Sequence, residues 1–131
     1  MLTKIELRKI ARARLRDAEA LFAARRYDGA VYLCGYVVEL GLKARICKTL
    51  RWEGYPSSPK EFKDFGSFKI HDLDVLLRLS GVERKVKSQL FIEWSSVAQW
   101  SPEARYQPIG KVNKEDVQLM INSATTLLNK L

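Results

Sequence analysis

An all-α fold, an up-and-down bundle of about five helices in one domain over residues 1–131, is what the sequence predicts. Three observations predict it. Apolar residues recur at helical spacing over long stretches. No alternating strand pattern runs beyond a few residues. The length and apolar content suit one ordinary core rather than a disordered chain or several domains.

The first helix is expected from about Thr3 to Ala24, with Leu7, Ala11, Leu15, Ala18 and Phe22 as its inward stripe. Arg25 and Arg26 close it with the charge that a helix C-terminus favours. Tyr27-Asp28-Gly29 reads as the turn, with Asp28 as N-cap of a second helix over about Gly29 to Trp52. That helix is the most apolar and should lie at the centre. Gly35 and Gly41 fall inside it, each costing about 1 kcal/mol relative to alanine. Close approach of a neighbouring element or a ligand is the usual compensation.

From Gly54 to Lys69 prolines, glycines and serines mark a long loop. Inside it, Ser58-Pro59-Lys60-Glu61 has the form of a capping box and predicts a short helical turn. Phe62, Phe65 and Phe68 would tack this loop to the bundle; a ligand-covering lid is the alternative. A third helix is expected over about His71 to Ser80 with Gly81 as its stop, and a fourth over about Val82 to Gln99. Val86, Leu90, Trp94 and Val97 form the inward face of the fourth. Trp100 to Tyr106 reads as a capped turn, and Asn113 caps the last helix.

Composition narrows the function classes. The longest nearly apolar run, Ala30 to Leu42, contains Glu39 and is too short to cross a bilayer, and the N-terminus lacks a secretory signal, so a cytoplasmic protein is expected. Cys34 and Cys47 would lie about 20 Å apart along one helix, too far for a disulfide. With one histidine in the chain, no metal site and no cofactor is predicted. A net charge of +8 biases the chain toward polyanions such as a nucleotide, RNA or an acidic partner. There is no glycine-rich phosphate loop, nucleophile elbow or cysteine–histidine couple.

Four features could carry chemistry. Glu39 and Lys43 sit four residues apart in the order that favours a helical ion pair, within an otherwise uncharged run. Either they form a partly exposed pair, or they anchor Arg105 or a ligand. His71 is the only side chain that titrates near neutrality when unperturbed, and it stands at a helix start, where an anion site or a simple local cap would fit. Arg105, flanked by Trp100 and Tyr106, supplies a guanidinium fork and stacking surfaces; the alternative is an aromatic seal with Arg105 paired to a carboxylate. Lys4, Arg8, Arg12 and Arg16 repeat every four residues as a basic ridge, either a solvated face or a phosphate-tracking surface.

The ordered set Ala18…Leu21, Tyr27-Asp28-Gly29-Ala30, Glu39-Leu40-Gly41-Leu42-Lys43-Ala44, His71-Asp72-Leu73 and Trp100…Arg105-Tyr106 resembles the HEPN domain family of higher eukaryotes and prokaryotes. The resemblance implies a helical bundle, frequently a homodimer. It also implies association with nucleotides or RNA, and partnership with a minimal nucleotidyltransferase in toxin–antitoxin-like pairs. The resemblance further implies that the family's ribonuclease branch uses an arginine and a histidine with four to six residues between them. After Arg105 the candidate positions hold Gly110, Lys111 and Val112, and before His71 they hold Asp64, Phe65 and Gly66. The expectation is a binding module with Glu39, Lys43, His71, Trp100, Arg105 and Tyr106 as ligand-binding residues. The alternatives are a metal-independent ribonuclease built on His71 and Arg105, or a purely protein-interacting subunit.

Overall fold

The computed structural model describes residues 1–131 as seven α-helices, two 3₁₀ turns and one minimal strand pair. Helix α1 spans Lys4–Ala23, and its start is fixed chemically. Thr3 accepts from the Glu6 amide while the Glu6 carboxylate accepts from the Thr3 amide, a reciprocal capping box. Helix α2, Tyr27–Leu50, packs against α1, α4 and α7 and is the central element, as its apolar sequence requires. It ends at Arg51 in the left-handed conformation.

The expected cap at Asp28 does not form. Helix α2 starts earlier, at Tyr27, without a side-chain cap. The Asp28 carboxylate instead accepts from the Gly110 amide at 3.0 Å and ties the distant loop before the last helix to the start of α2. This bond crosses 82 residues of chain, so local spacing could not reveal it.

Two further departures concern the middle of the chain. Leu2–Thr3 (β1) and Gly54–Tyr55 (β2) pair antiparallel, a strand contact that sequence periodicity cannot show because each member has two residues. The Ser58 capping box does form and opens α3, Pro59–Asp64, followed by a 3₁₀ turn at Gly66–Phe68. Of the three phenylalanines, Phe68 is the main tack, edge-on to Trp52 at 4.8 Å and beside Tyr55, whose hydroxyl donates to the Phe68 carbonyl at 2.6 Å.

Helix α4 runs Leu73–Ser80 and stops at Gly81, whose φ of 80° places it in the left-handed region. The expected fourth helix is divided into α5, Glu83–Gln89, and α6, Phe91–Val97, with Leu90 at φ −127° between them. Val86, Leu90, Trp94 and Val97 are nevertheless all buried, as their spacing predicts. The bend lets α5 stay against α4 while α6 packs on α7, two neighbours that one straight helix of this length does not serve. Helix α7, Lys114–Lys130, is capped by Asn113 and lays Val117, Met120, Ile121, Ala124, Leu127 and Leu128 into the core.

The glycines of α2 show what compensates their helix cost. A Cβ on Gly35 would stand 2.0 Å from Cδ2 and Cε2 of Trp100, so the bare backbone is the seat of that ring. Cys34 and Cys47 are both buried and unpaired within α2. Burial pushes the Cys34 thiol up to about 12, which removes it as a nucleophile. No helix is long and apolar enough to cross a membrane.

Candidate functional site

The site begins on α2, where Glu39 and Lys43 occupy successive turns of the helix. Glu39 is 3% exposed and Lys43 9%, so the pair is inside the protein and not at its edge. Two buried charges are tolerable only if each finds partners. Lys43 Nζ donates to Glu39 Oε2 at 3.2 Å and also stands over the Tyr55 ring, 5.1 Å from its centroid. The second carboxylate oxygen, Oε1, lies 3.0 Å from Nδ1 of His71. A carboxylate can only accept, so the proton of this bond belongs to Nδ1, and Nε2 is left as the unengaged ring nitrogen.

This geometry decides between the readings of the sequence. The pair is buried, and what it anchors is His71, which comes from the segment before α4. Arg105 makes no ion pair with Glu39 or with any other carboxylate. His71 itself is half-exposed, its inner edge fixed and its outer edge free. Nor is it the first residue of a helix with open amides. Asp72 is the N-cap of α4, and its Oδ1 takes the Asp74 and Val75 amides at 2.9 and 3.2 Å. Two of the amides at this helix start are thus already taken by the Asp72 carboxylate.

His71 faces a cavity of about 440 Å³ whose walls include Tyr36, Asp72, Trp100, Glu103 and Arg105. Arg105 reaches it from the 3₁₀ turn Pro102–Tyr106, which Ser101 caps by accepting from the Glu103 amide. The guanidinium is exposed and stacks over the Tyr106 ring at 4.7 Å. Tyr106, and after it Tyr32, hold the guanidinium pKa above its ordinary value. Its charge is therefore constant and directed at solvent and cavity.

Trp100 behaves differently from the expectation that it would stack on a ligand. It is 7% exposed, its ring lies on Gly35, and Tyr36 meets it edge-on at 4.9 Å. Trp100 is a wall of the cavity, and among the aromatic residues flanking Arg105 only Tyr106 presents an open ring. Tyr36 of α2 also lines the cavity, with Tyr32 beside it, and neither was singled out by the sequence. The hydroxyls of Tyr32 and Tyr36 lie 3.4 Å apart. Burial, then the contact with Tyr32, pushes the Tyr36 phenol up to about 12, so it stays a neutral hydrogen-bonding group at ordinary pH. Their spacing of four on the face that carries Glu39 was the available signal.

The assembled chemistry is a carboxylate-oriented imidazole, a permanent guanidinium and a phenol on one concave space, with the open Tyr106 ring beside the guanidinium. Such a set can hold a phosphate, accept or release a proton at Nε2, and stack a planar group.

Searches of the curated proteins and of the solved structures give no match. The family model of the HEPN domain matches residues 5–57, a stretch covering nearly all of α1, all of α2 and the β2 strand. The match includes Glu39 and Lys43 and ends before His71, Trp100, Arg105 and Tyr106. That match makes residues 5–57, less than half of the chain, similar to the HEPN domain.

Proposed function

We propose that the chain is a binding module for a phosphate-bearing ligand, a nucleotide or an RNA segment, held in the cavity between His71 and Arg105. One observation carries this reading. Glu39, buried in α2, fixes an imidazole from the α4 entry on the same cavity that receives a guanidinium from the Pro102–Tyr106 turn. Arg105 would grip phosphate oxygens with its fork, Tyr106 would stack on the base, and the Glu39–Lys43 pair would position His71. The resemblance adds a homodimer and a nucleotidyltransferase partner in a toxin–antitoxin-like pair to this proposal.

The test is thermal unfolding against a panel of nucleotides, with Arg105→Ala in parallel. Ligand at one hundred times its dissociation constant adds about 2.7 kcal/mol, a shift of several degrees for a domain of this size. A selective shift that vanishes in the variant is expected. Equal shifts in both proteins would remove Arg105 from the site.

The ribonuclease reading is favoured by one specific feature, the Glu39–His71 pair itself, which leaves Nε2 free to take a proton from a 2′-hydroxyl. Arg105 would then stabilise charge on the phosphate. It predicts cleavage of RNA in the presence of a chelator that is abolished by His71→Ala. Undiminished cleavage by that variant would exclude His71 as the base.

A further inference from the structure

The basic ridge of α1 lies outside the cavity site and has no role in it. Lys4, Arg8, Arg12 and Arg16 stand four residues apart, and the row extends about 18 Å along the helix at ~1.5 Å per residue. Like charges four apart repel on a helix, so an ordinary solvated face interleaves them with carboxylates. Here that has not happened. Glu6 is consumed by the α1 capping box, Asp17 pairs with Arg14 at 3.2 Å, and Glu19, one turn beyond Arg16, pairs with none of the row.

Helix α2 widens the row. Arg45 brings a further guanidinium beside Arg8, and its buried Nε has no hydrogen-bond acceptor. Arg8 itself donates through Nη1 only to the Leu128 carbonyl at 3.4 Å, near the end of α7. Burial, then the nearby Arg12 and Arg45, lowers the Arg8 pKa, the mark of cations crowded together without counter-charge. None of Lys4, Arg8, Arg12, Arg16 or Arg45 has a carboxylate within ion-pair distance; the short-range pairs of the protein lie elsewhere.

We infer that this unpaired row on α1, widened by Arg45, is a second binding surface that tracks the phosphate backbone of a nucleic acid. Arginine dominates the row, and its planar fork matches phosphate better than the point charge of lysine does. One strand of a duplex carries a charge per ~3.4 Å of axis, so an 18 Å row runs beside about five phosphates. The surface is separate from the cavity, so a strand could be held along α1 without occupying the His71–Arg105 site.

The experiment is the salt dependence of binding to a fluorescent single-stranded RNA of mixed sequence. Five neutralised phosphates give a slope of log K on log salt near −3.5, about a hundredfold loss of affinity between 50 and 200 mM salt. Arg8→Gln/Arg12→Gln/Arg16→Gln should flatten the slope by about 2. Arg8 bonds the α7 carbonyl, so Arg12→Gln/Arg16→Gln, at two exposed positions, serves as the second variant and should flatten it by about 1.4. Both variants should keep the nucleotide-induced thermal shift of the unaltered protein, which separates failure of this surface from failure of the cavity. Unchanged slopes in both variants would overturn the inference. So would absence of RNA binding at 50 mM salt, or salt-sensitive binding of polyglutamate in its place.

Discussion

Gly35→Ala is the most direct perturbation of the wall that separates core from cavity. The new Cβ would stand 2.0 Å from two carbons of the Trp100 indole and 2.2 Å from its Nε1. Carbon contacts are comfortable near 3.5–4.0 Å, so the ring must retreat by about 1.5 Å or more. The indole is a rigid bicycle, buried and braced by Tyr36, and has no flexible end to give. Overpacking of this kind costs about 1–3 kcal/mol, beyond the ~1 kcal/mol that alanine gains over glycine in a helix. For a 131-residue domain the unfolding entropy is about 0.28 kcal/mol/K, so a net loss of about 2 kcal/mol lowers Tm by about 7 °C. Gly41→Ala is the control. Its Cβ would meet Leu128 Cδ1 at 3.2 Å and Leu131 Cδ1 at 3.3 Å, leucine methyls that can shift a few tenths of an ångström. That variant should remain within about 1 kcal/mol of the parent. Denaturant unfolding followed by tryptophan fluorescence reads both. In a Trp100→Ala background Gly35→Ala should become neutral or stabilising, since only propensity is left. A Gly35→Ala protein as stable as Gly41→Ala would refute the seat assigned to the ring.

Removing one member of the buried pair should be far worse than removing both. Glu39→Leu leaves the Lys43 ammonium buried and should cost about 3–5 kcal/mol in urea unfolding, whereas Glu39→Leu/Lys43→Met should recover most of that; equal losses would mean that the charges are hydrated. Alkaline pH should weaken the fold through Tyr36. Its folded pKa is raised from 10.0 to about 12, so the unfolded chain sheds this proton first, and stability present below pH 10 is lost as pH rises toward 12. Tyr36→Phe should lessen the fall in the urea midpoint over that window, and its phenol should be a late component of absorbance titration near 295 nm; an early, single-step titration of every tyrosine would contradict its burial.

Much of this protein was legible from residues alone. Helix spacing fixes α1, α2, α4 and α7, because a stripe at three- and four-residue intervals has only one way to face a core. The capping box at Ser58 and the stop at Gly81 are equally local signals, and the box at Thr3, which was not read from the sequence, is as local as they are. The candidate residues His71 and Arg105 were recognisable by type, and the structure brings them to one cavity. Tertiary structure alone decided their relation. Nothing in the spacing of Glu39 and His71, 32 residues apart, says that one carboxylate oxygen serves each of Lys43 and His71. Likewise the role of Trp100 depended on a glycine 65 positions away, and the role of Asp28 on an amide at Gly110. The division follows from range. Propensity, capping and periodicity act within about one helical turn, where the sequence is its own geometry. Which polar groups meet after the core has closed depends on how the helices are stacked, and that is a property of the whole packed chain.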